Sequence, residues 1–165
     1  ALADSKSDSI IGGHFATKPL DNPLWQYACQ VYAQAGVETA LLKLQDEQGA
    51  DINLILQALW LASEGRAWTR ACIPNDYGKW MTEQVLPLRQ MRRSMKTDWP
   101  QQEDFRQQVK KLELKAEQYA LAMLFIRSDY EQKESGCMTL ENLGILGQEM
   151  NILPEHFDRL IELVQ

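Results

Sequence analysis

Residues 44–60 read LQDEQGADINLILQALW. Gly49 is a natural stop for one helix, because a residue without Cβ enters the left-handed conformation at little cost. Asp51 is a natural cap for the next helix, because its carboxylate can accept from the free N–H groups of a first turn. From Ile52 to Ser63 the chain is apolar apart from Asn53, Gln57 and the final serine. A helix apolar on nearly all sides must be enclosed by others, so this segment is expected to be the central helix. Asn53, Gln57 and Glu64 are expected to mark its one polar edge.

Working outward, Asn22-Pro23 provides a cap and a first-turn proline for a helix to about Ala35, with Gly36 as its stop. A second helix is expected from Val37 to Gln48 and the central one from Ile52 to Ser63, with Gly65 past its end. Pro74, Asn75 and Asp76 open a fourth helix carrying Trp80, Val85, Leu88, Met91 and Met95. Pro87 lies inside it and predicts a kink or break. Lys96 to Pro100 reads as a connection, with Asp98 a candidate cap. The longest helix is expected over about 101–127. There Phe105, Val109, Leu112, Ala116, Tyr119, Met123 and Ile126 alternate spacings of four and three, the pattern of a heptad seam. Its end, YALAMLFI, is apolar all round and needs a second covering face, from this chain or another. Ser128 to Met138 reads as a polar loop. Thr139 and Pro154 open two short helices, with Leu140, Leu143, Leu146, Phe157, Leu160, Ile161 and Val164 inward. With no competing strand pattern, the fold class is all-α, a compact bundle of six or seven helices with one long heptad-patterned helix.

The chain has 165 residues, 45% apolar and 24% charged, which suits one soluble domain. Residues 1–20 read as a mobile N-terminal arm, and 21–165 as a single helical domain. The chain begins at Ala1 without Met, which is consistent with a processed end, and the arm carries no weight in the fold reading. The net charge of −6 is uneven. Residues 1–127 are balanced, whereas 128–165 hold Lys133 and Arg159 against eight carboxylates. A neutral body with an acidic segment at about 139–165 is not the footprint of a general nucleic-acid binder, so nucleic acid is not the favoured partner. Cys29, Cys72 and Cys137 are odd in number and far apart, which argues against a disulfide framework or a zinc site. Cys29 and Cys72 are expected as core thiols. The longest apolar run, Tyr119 to Ile126, is too short to span a bilayer. No secretory leader pattern is present. A cytoplasmic protein is expected, with no membrane, cofactor or metal.

Two constellations stand out. Gln45, Asp46, Asp51 and Asn53 cluster at the central turn. Oxygen ligands of this kind suit a small polar molecule or a hard cation, but the spacing lacks the alternation of a calcium loop. The plainer account is that Asp51 caps a helix while Gln45 or Asn53 bonds free backbone groups across the turn. Arg89, Arg92, Arg93 and Lys96 fall at i, i+3, i+4 and i+7, so they share one helix face. Lys110, Lys111 and Lys115 extend the positive area. This stripe suits an anion, a phosphate backbone or an acidic partner surface. The plainer accounts are a solvated face or pairing with the acidic C-terminal segment. Of five tryptophans, Trp68 and Trp99 lie near connections and are the better candidates for exposure. His14 and His156 neighbour no nucleophile in sequence, and no serine elbow or zinc-binding HExxH helix is present.

Leu24-Trp25, Tyr32, Gly36-Val37, Leu44-Gln45-Asp46, Gly49-Ala50-Asp51, Asn53-Leu54 and Leu59-Trp60 together form a pattern. Trp80, Val85, Pro87-Leu88-Arg89 and Arg92-Arg93 continue it. On these residues the chain resembles an uncharacterised proteobacterial family of conserved hypothetical proteins of about 160 residues. The resemblance covers roughly residues 22–120 and fades in the acidic segment. It implies a lineage and a helical fold, and no chemistry.

Two functional expectations follow. The preferred one is a cytoplasmic helical interaction module, meeting a protein partner or a second copy in a homodimer through the long helix or the basic stripe. The alternative is a small-ligand binder or a carboxylate-based enzyme centred on the Gln45–Asn53 turn, with Asp46, Asp51 and Glu64 as its acids. An enclosed polar pocket at that turn separates them.

Overall fold

The computed structural model describes residues 20–130 and 139–165. The arm expected over 1–20 lies outside these residues except for Leu20. So do His14, Cys137 and residues 131–138 of the expected loop. The described chain is helical, with no strand.

Helix α1 is Pro23–Tyr32, and the Asn22 side chain caps it by accepting from Trp25 N at 2.9 Å. Helix α2 is Val37–Gln48, and α3 is Ile52–Ser63. Between them Gly49 has φ +66°, the left-handed conformation that a glycine adopts most cheaply, and returns its N–H to Gln45 O at 3.1 Å. Asp51 then caps α3, its Oδ1 accepting from Leu54 N at 3.2 Å. Helix α4 is continuous in three parts: an α turn Tyr77–Trp80, a π turn Met81–Val85, and an α segment Leu86–Asp98. Helix α5 is Glu103–Tyr130, α6 is Thr139–Met150 and α7 is Asp158–Val164.

Helix α3 is the centre, as its composition requires. Every residue from Asn53 to Ala62 is buried, and α1, α2, α5 and α6 all pack on it. Its expected polar edge is a correction, because Asn53 and Gln57 are inside and only Glu64 is exposed. Gln57 is bonded at every polar atom. Its Nε2 donates to Cys72 O at 2.9 Å, Ser128 Oγ at 2.7 Å and Leu124 O at 3.3 Å. Its Oε1 accepts from the Trp68 indole at 3.0 Å. Trp68 is therefore fully buried rather than exposed, while Trp99 is exposed as expected.

Other departures have similar causes. Helix α5 continues past Arg127 to Tyr130, and Ser128 within it returns its hydroxyl to Leu124 O at 2.7 Å. Its inner face is Val109, Glu113, Ala116, Ala120, Leu124 and Ser128, whereas Phe105 and Leu112 of the heptad seam are exposed. The apolar C-terminal third of α5, including Leu121 and Leu124, is covered by this chain's own helices. Asp98 ends α4 and Trp99 occupies the cap. Cys29 and Leu140 are exposed rather than inward.

The kink expected at Pro87 takes the form of the π turn just before it. A proline in a regular helix loses its own i→i−4 bond and collides with the preceding turn. Here Leu86 N bonds Met81 O, and this wider turn immediately precedes the proline. Beyond it, α4 and the first half of α5 run antiparallel as a two-helix hairpin. Within that hairpin, from Leu86 to Lys115, only Met95, Val109 and Glu113 are buried.

Candidate functional site

The turn cluster and two residues of the basic stripe, Arg89 and Arg93, which sequence places some 40 residues apart, meet in one cleft. It has a volume of about 720 Å³ and lies between the α2–α3 turn and the π-turn end of α4. Gln45, Asp46, Asp51 and Asn53 line one side, and Arg89, Gln90, Arg93 and Ser94 line the other. Met81 and Glu117 also line it. The cleft is open to solvent on one side rather than enclosed. Helix α5 supplies Glu117, which sequence reasoning missed. Its signal was a carboxylate four residues after Glu113, on the face that α5 turns to the stripe.

Asp51 is partly buried in the turn, beside the buried Asn53. Its Oδ1 serves the helix cap, and its Oδ2 accepts from the Tyr77 hydroxyl at 2.7 Å. Its backbone N–H approaches the Met150 sulfur at 3.5 Å, which ties the turn to α6. Burial pushes the Asp51 carboxyl above its ordinary range, against the opposing pull of Tyr77, of backbone N–H groups and of the more distant Arg89. The Tyr77 phenol is pushed well above its ordinary value, by burial first and by the Asp51 charge second. The Asn53 amide lies 4.0 Å from the Met81 sulfur and close enough to Tyr77 to favour its ionised form slightly. The plain account of the turn is thus right for Asp51, whereas the Asn53 amide turns inward instead of bridging backbone groups.

The basic stripe is divided by depth. Arg89 donates to Glu117 at 2.7 Å and to Glu113 at 3.4 Å. Arg92 binds both oxygens of the buried Glu113. Arg93 meets Asp46 at 3.2 Å, with both side chains more than half exposed. Lys96 is exposed and does not line the cleft. The partners of the stripe are therefore carboxylates of α5 and α2. The acidic C-terminal segment lies elsewhere, with α7 packed on α2. Burial also pushes the Glu117 carboxyl up, opposed by Arg89 and reinforced by Glu113 and Asp51. Tyr32 is pushed up to about 12, by burial first and then by Glu117. Glu64 does not join this group. It caps the far end of α3, thirteen residues and ~20 Å from Asp51 at the helical rise. The three carboxylates expected to act together therefore do not converge.

The cleft thus holds two partly buried carboxylates, Asp51 and Glu117, whose pKa values desolvation raises. Arg89 is fixed between two glutamates, and the rim carries amide, hydroxyl and guanidinium groups. Titratable groups perturbed by burial and gathered in a cleft mark a candidate functional site. No grouping of histidine, cysteine and carboxylate side chains suited to a metal occurs among the described residues.

The model of the family described as Protein of unknown function (DUF2390) matches residues 23–124, and the chain belongs to that family. The matched span contains every residue that lines the cleft and stops before α6 and α7. No curated protein and no solved structure matches.

Proposed function

We propose that this family member binds a small polar ligand bearing a cationic nitrogen in the cleft between the α2–α3 turn and α4. The observation that carries the reading is the state of Asp51. It is a partly buried, desolvated carboxylate on the cleft wall whose direct partners are the neutral donors Leu54 N–H and Tyr77 O–H. Arg89 is committed to Glu113 and Glu117. A buried carboxylate without a cation in contact is costly, and an ammonium or amidinium group would relieve that cost. The opposite wall, with Gln90, Arg93 and Ser94, offers donors to an acceptor group at the other end of the ligand. Amino-acid-like zwitterions fit both ends. Binding, rather than a carboxylate-based reaction, is the reading because Asp51 and Glu64 lie at opposite ends of α3.

A thermal-shift screen of amino acids, diamines and amidines tests this, since a ligand that binds only the folded state raises Tm. At least one amine is expected to raise Tm in the wild type, with the shift lost in Asp51→Asn, which retains a capping oxygen. A flat screen, or a shift that survives Asp51→Asn, overturns the assignment.

The second reading is a helical interaction module. It is supported by exposed apolar side chains on the α4–α5 hairpin, among them Met91, Trp99, Phe105 and Leu112. A cytoplasmic setting suits both readings, because Cys29 and Cys72 are free thiols. No described helix is long and apolar enough to cross a membrane.

A further inference from the structure

The outer half of the α4–α5 hairpin carries a second feature, which shares only Ser94 with the cleft. Met91, Met95, Trp99 and Phe105, with Ser94 and Gln102, line a shallow groove of about 500 Å³. Leu112 is seven residues from Phe105 and shares its helix face. Met91 is 46% exposed, Trp99 55%, Phe105 51% and Leu112 59%. Four large side chains about half exposed amount to on the order of 400 Å² of apolar surface in one region. That is at the scale of the largest patch on a typical monomer, where a patch is often functional.

We infer that this face docks the same face of a second copy of the chain, two hairpins meeting as an antiparallel four-helix bundle. This deepens the interaction-module reading and does not rest on the cleft. Two observations point to a second copy as the occupant, and a third sets the strength of the contact. First, the hairpin is an incomplete layer. Two helices bury Met95, Val109 and Glu113 between them and leave the flanking apolar residues uncovered, and two such pairs complete a bundle. Second, none of the six groove residues is charged. A two-fold contact sets the same face against itself, so a face bearing charge of one sign repels itself, while an uncharged one of Met, Trp, Phe and Gln does not. The same lack of charge gives an acidic peptide or a phosphate backbone nothing to grip. Third, ~400 Å² of apolar area is about half of the ~800 Å² per partner of a standard interface, the size of a weak contact. A second copy held this way exchanges with concentration rather than locking permanently.

Sedimentation velocity of the full chain from about 1 μM to 1 mM, a span that covers weak and moderate affinities, tests the inference. The mass is expected to rise from near 19.0 kDa towards twice that value. The double variant Phe105→Glu with Leu112→Glu should remain folded by circular dichroism, since both sites are exposed, and should stay at 19.0 kDa throughout. Leu140→Glu, at an exposed position on α6, should dimerise as the wild type does. A wild type that stays at 19.0 kDa at every concentration overturns the inference and leaves the face to a different protein. A dimer that persists in the double variant overturns it equally, by placing the contact elsewhere.

Discussion

Gln57 shows how a polar residue can be indispensable inside an apolar helix. It joins α3 to the segment at Trp68 and Cys72 and to the end of α5, through four bonds from one side chain. Gln57→Leu keeps roughly the volume and removes every bond. It strands the Trp68 indole N–H and the Cys72 carbonyl in the core, at about 1–3 kcal/mol for each unsatisfied group. The variant is expected to lose at least ~2 kcal/mol in a urea titration. A loss under ~0.5 kcal/mol would mean that the network does not hold the core. This residue also marks a limit of sequence reading. Asn53, Gln57 and Glu64 share a helix face, so they read as one polar edge. The outcome depends on what lies opposite, and the chain places Trp68, Ser128 and Met81 there, 11 to 71 residues away. Asp51 was legible because its role as a cap is local, set by Gly49 and by the apolar run that follows.

At the scale of elements, the bounds of α2 and α3 agree with those expected, because glycines and a capping carboxylate punctuate them and apolar composition does the rest. The burial of Leu56 follows from the same composition, and Leu56→Ala should cost on the order of 2–5 kcal/mol by chemical denaturation. A loss below ~0.5 kcal/mol would contradict the central place of α3. Helix α5 was less legible. A heptad seam assumes a partner along its whole length, yet the outer half of α5 has α4 on one side only, so Phe105 and Leu112 stay wet while Glu113 goes in. The site that α4 and α5 share has a testable asymmetry. Arg92 neutralises a buried glutamate, and Arg93 pairs with an exposed aspartate. Arg92→Glu sets two carboxylates against each other in a dry contact and should cost about 3–5 kcal/mol, the scale of breaking a buried pair. Arg93→Glu should cost ~1 kcal/mol or less, as expected for a screened surface pair. Thermal or urea unfolding of the two single variants checks the order. Equal losses would show that the stripe is not divided by depth.

At the scale of the whole molecule, the cleft could not be read from the sequence, because its walls come from α2, α3, α4 and α5 and only the tertiary arrangement brings them together. The residue types on both walls were legible, as was the concentration of one charge sign in α4. Their convergence on Asp51 and Glu117 was not, since Glu117 looks like an ordinary surface glutamate. That convergence makes stability depend on pH in an unusual sense. The ordinary values are 3.8 for Asp51 and 4.5 for Glu117, and the folded protein holds both groups higher, chiefly by burial. A group whose folded pKa lies above its unfolded one contributes stability that is fully present below the unfolded value. That contribution is lost as pH rises through the folded one. Ionising Asp51 therefore weakens the fold, opposite to the usual paired carboxylate. Glu103 shows the usual case: held at about 2 by Arg106 and Gln107, it adds stability as pH rises. Such opposing groups mask each other in the wild type alone, so the informative quantity is a difference. Asp51→Asn keeps a capping oxygen and cannot ionise. Its unfolding free energy minus that of the wild type should grow as pH rises above 3.8 and then level off. Urea titrations of both proteins from about pH 3 to pH 8 check this, and a constant difference would show that Asp51 titrates as in the unfolded chain. A bound amine reverses the same linkage. It favours the ionised carboxylate, so binding should release protons and tighten as pH rises through the folded pKa of Asp51. Calorimetry in buffers of different ionisation enthalpy would detect that release.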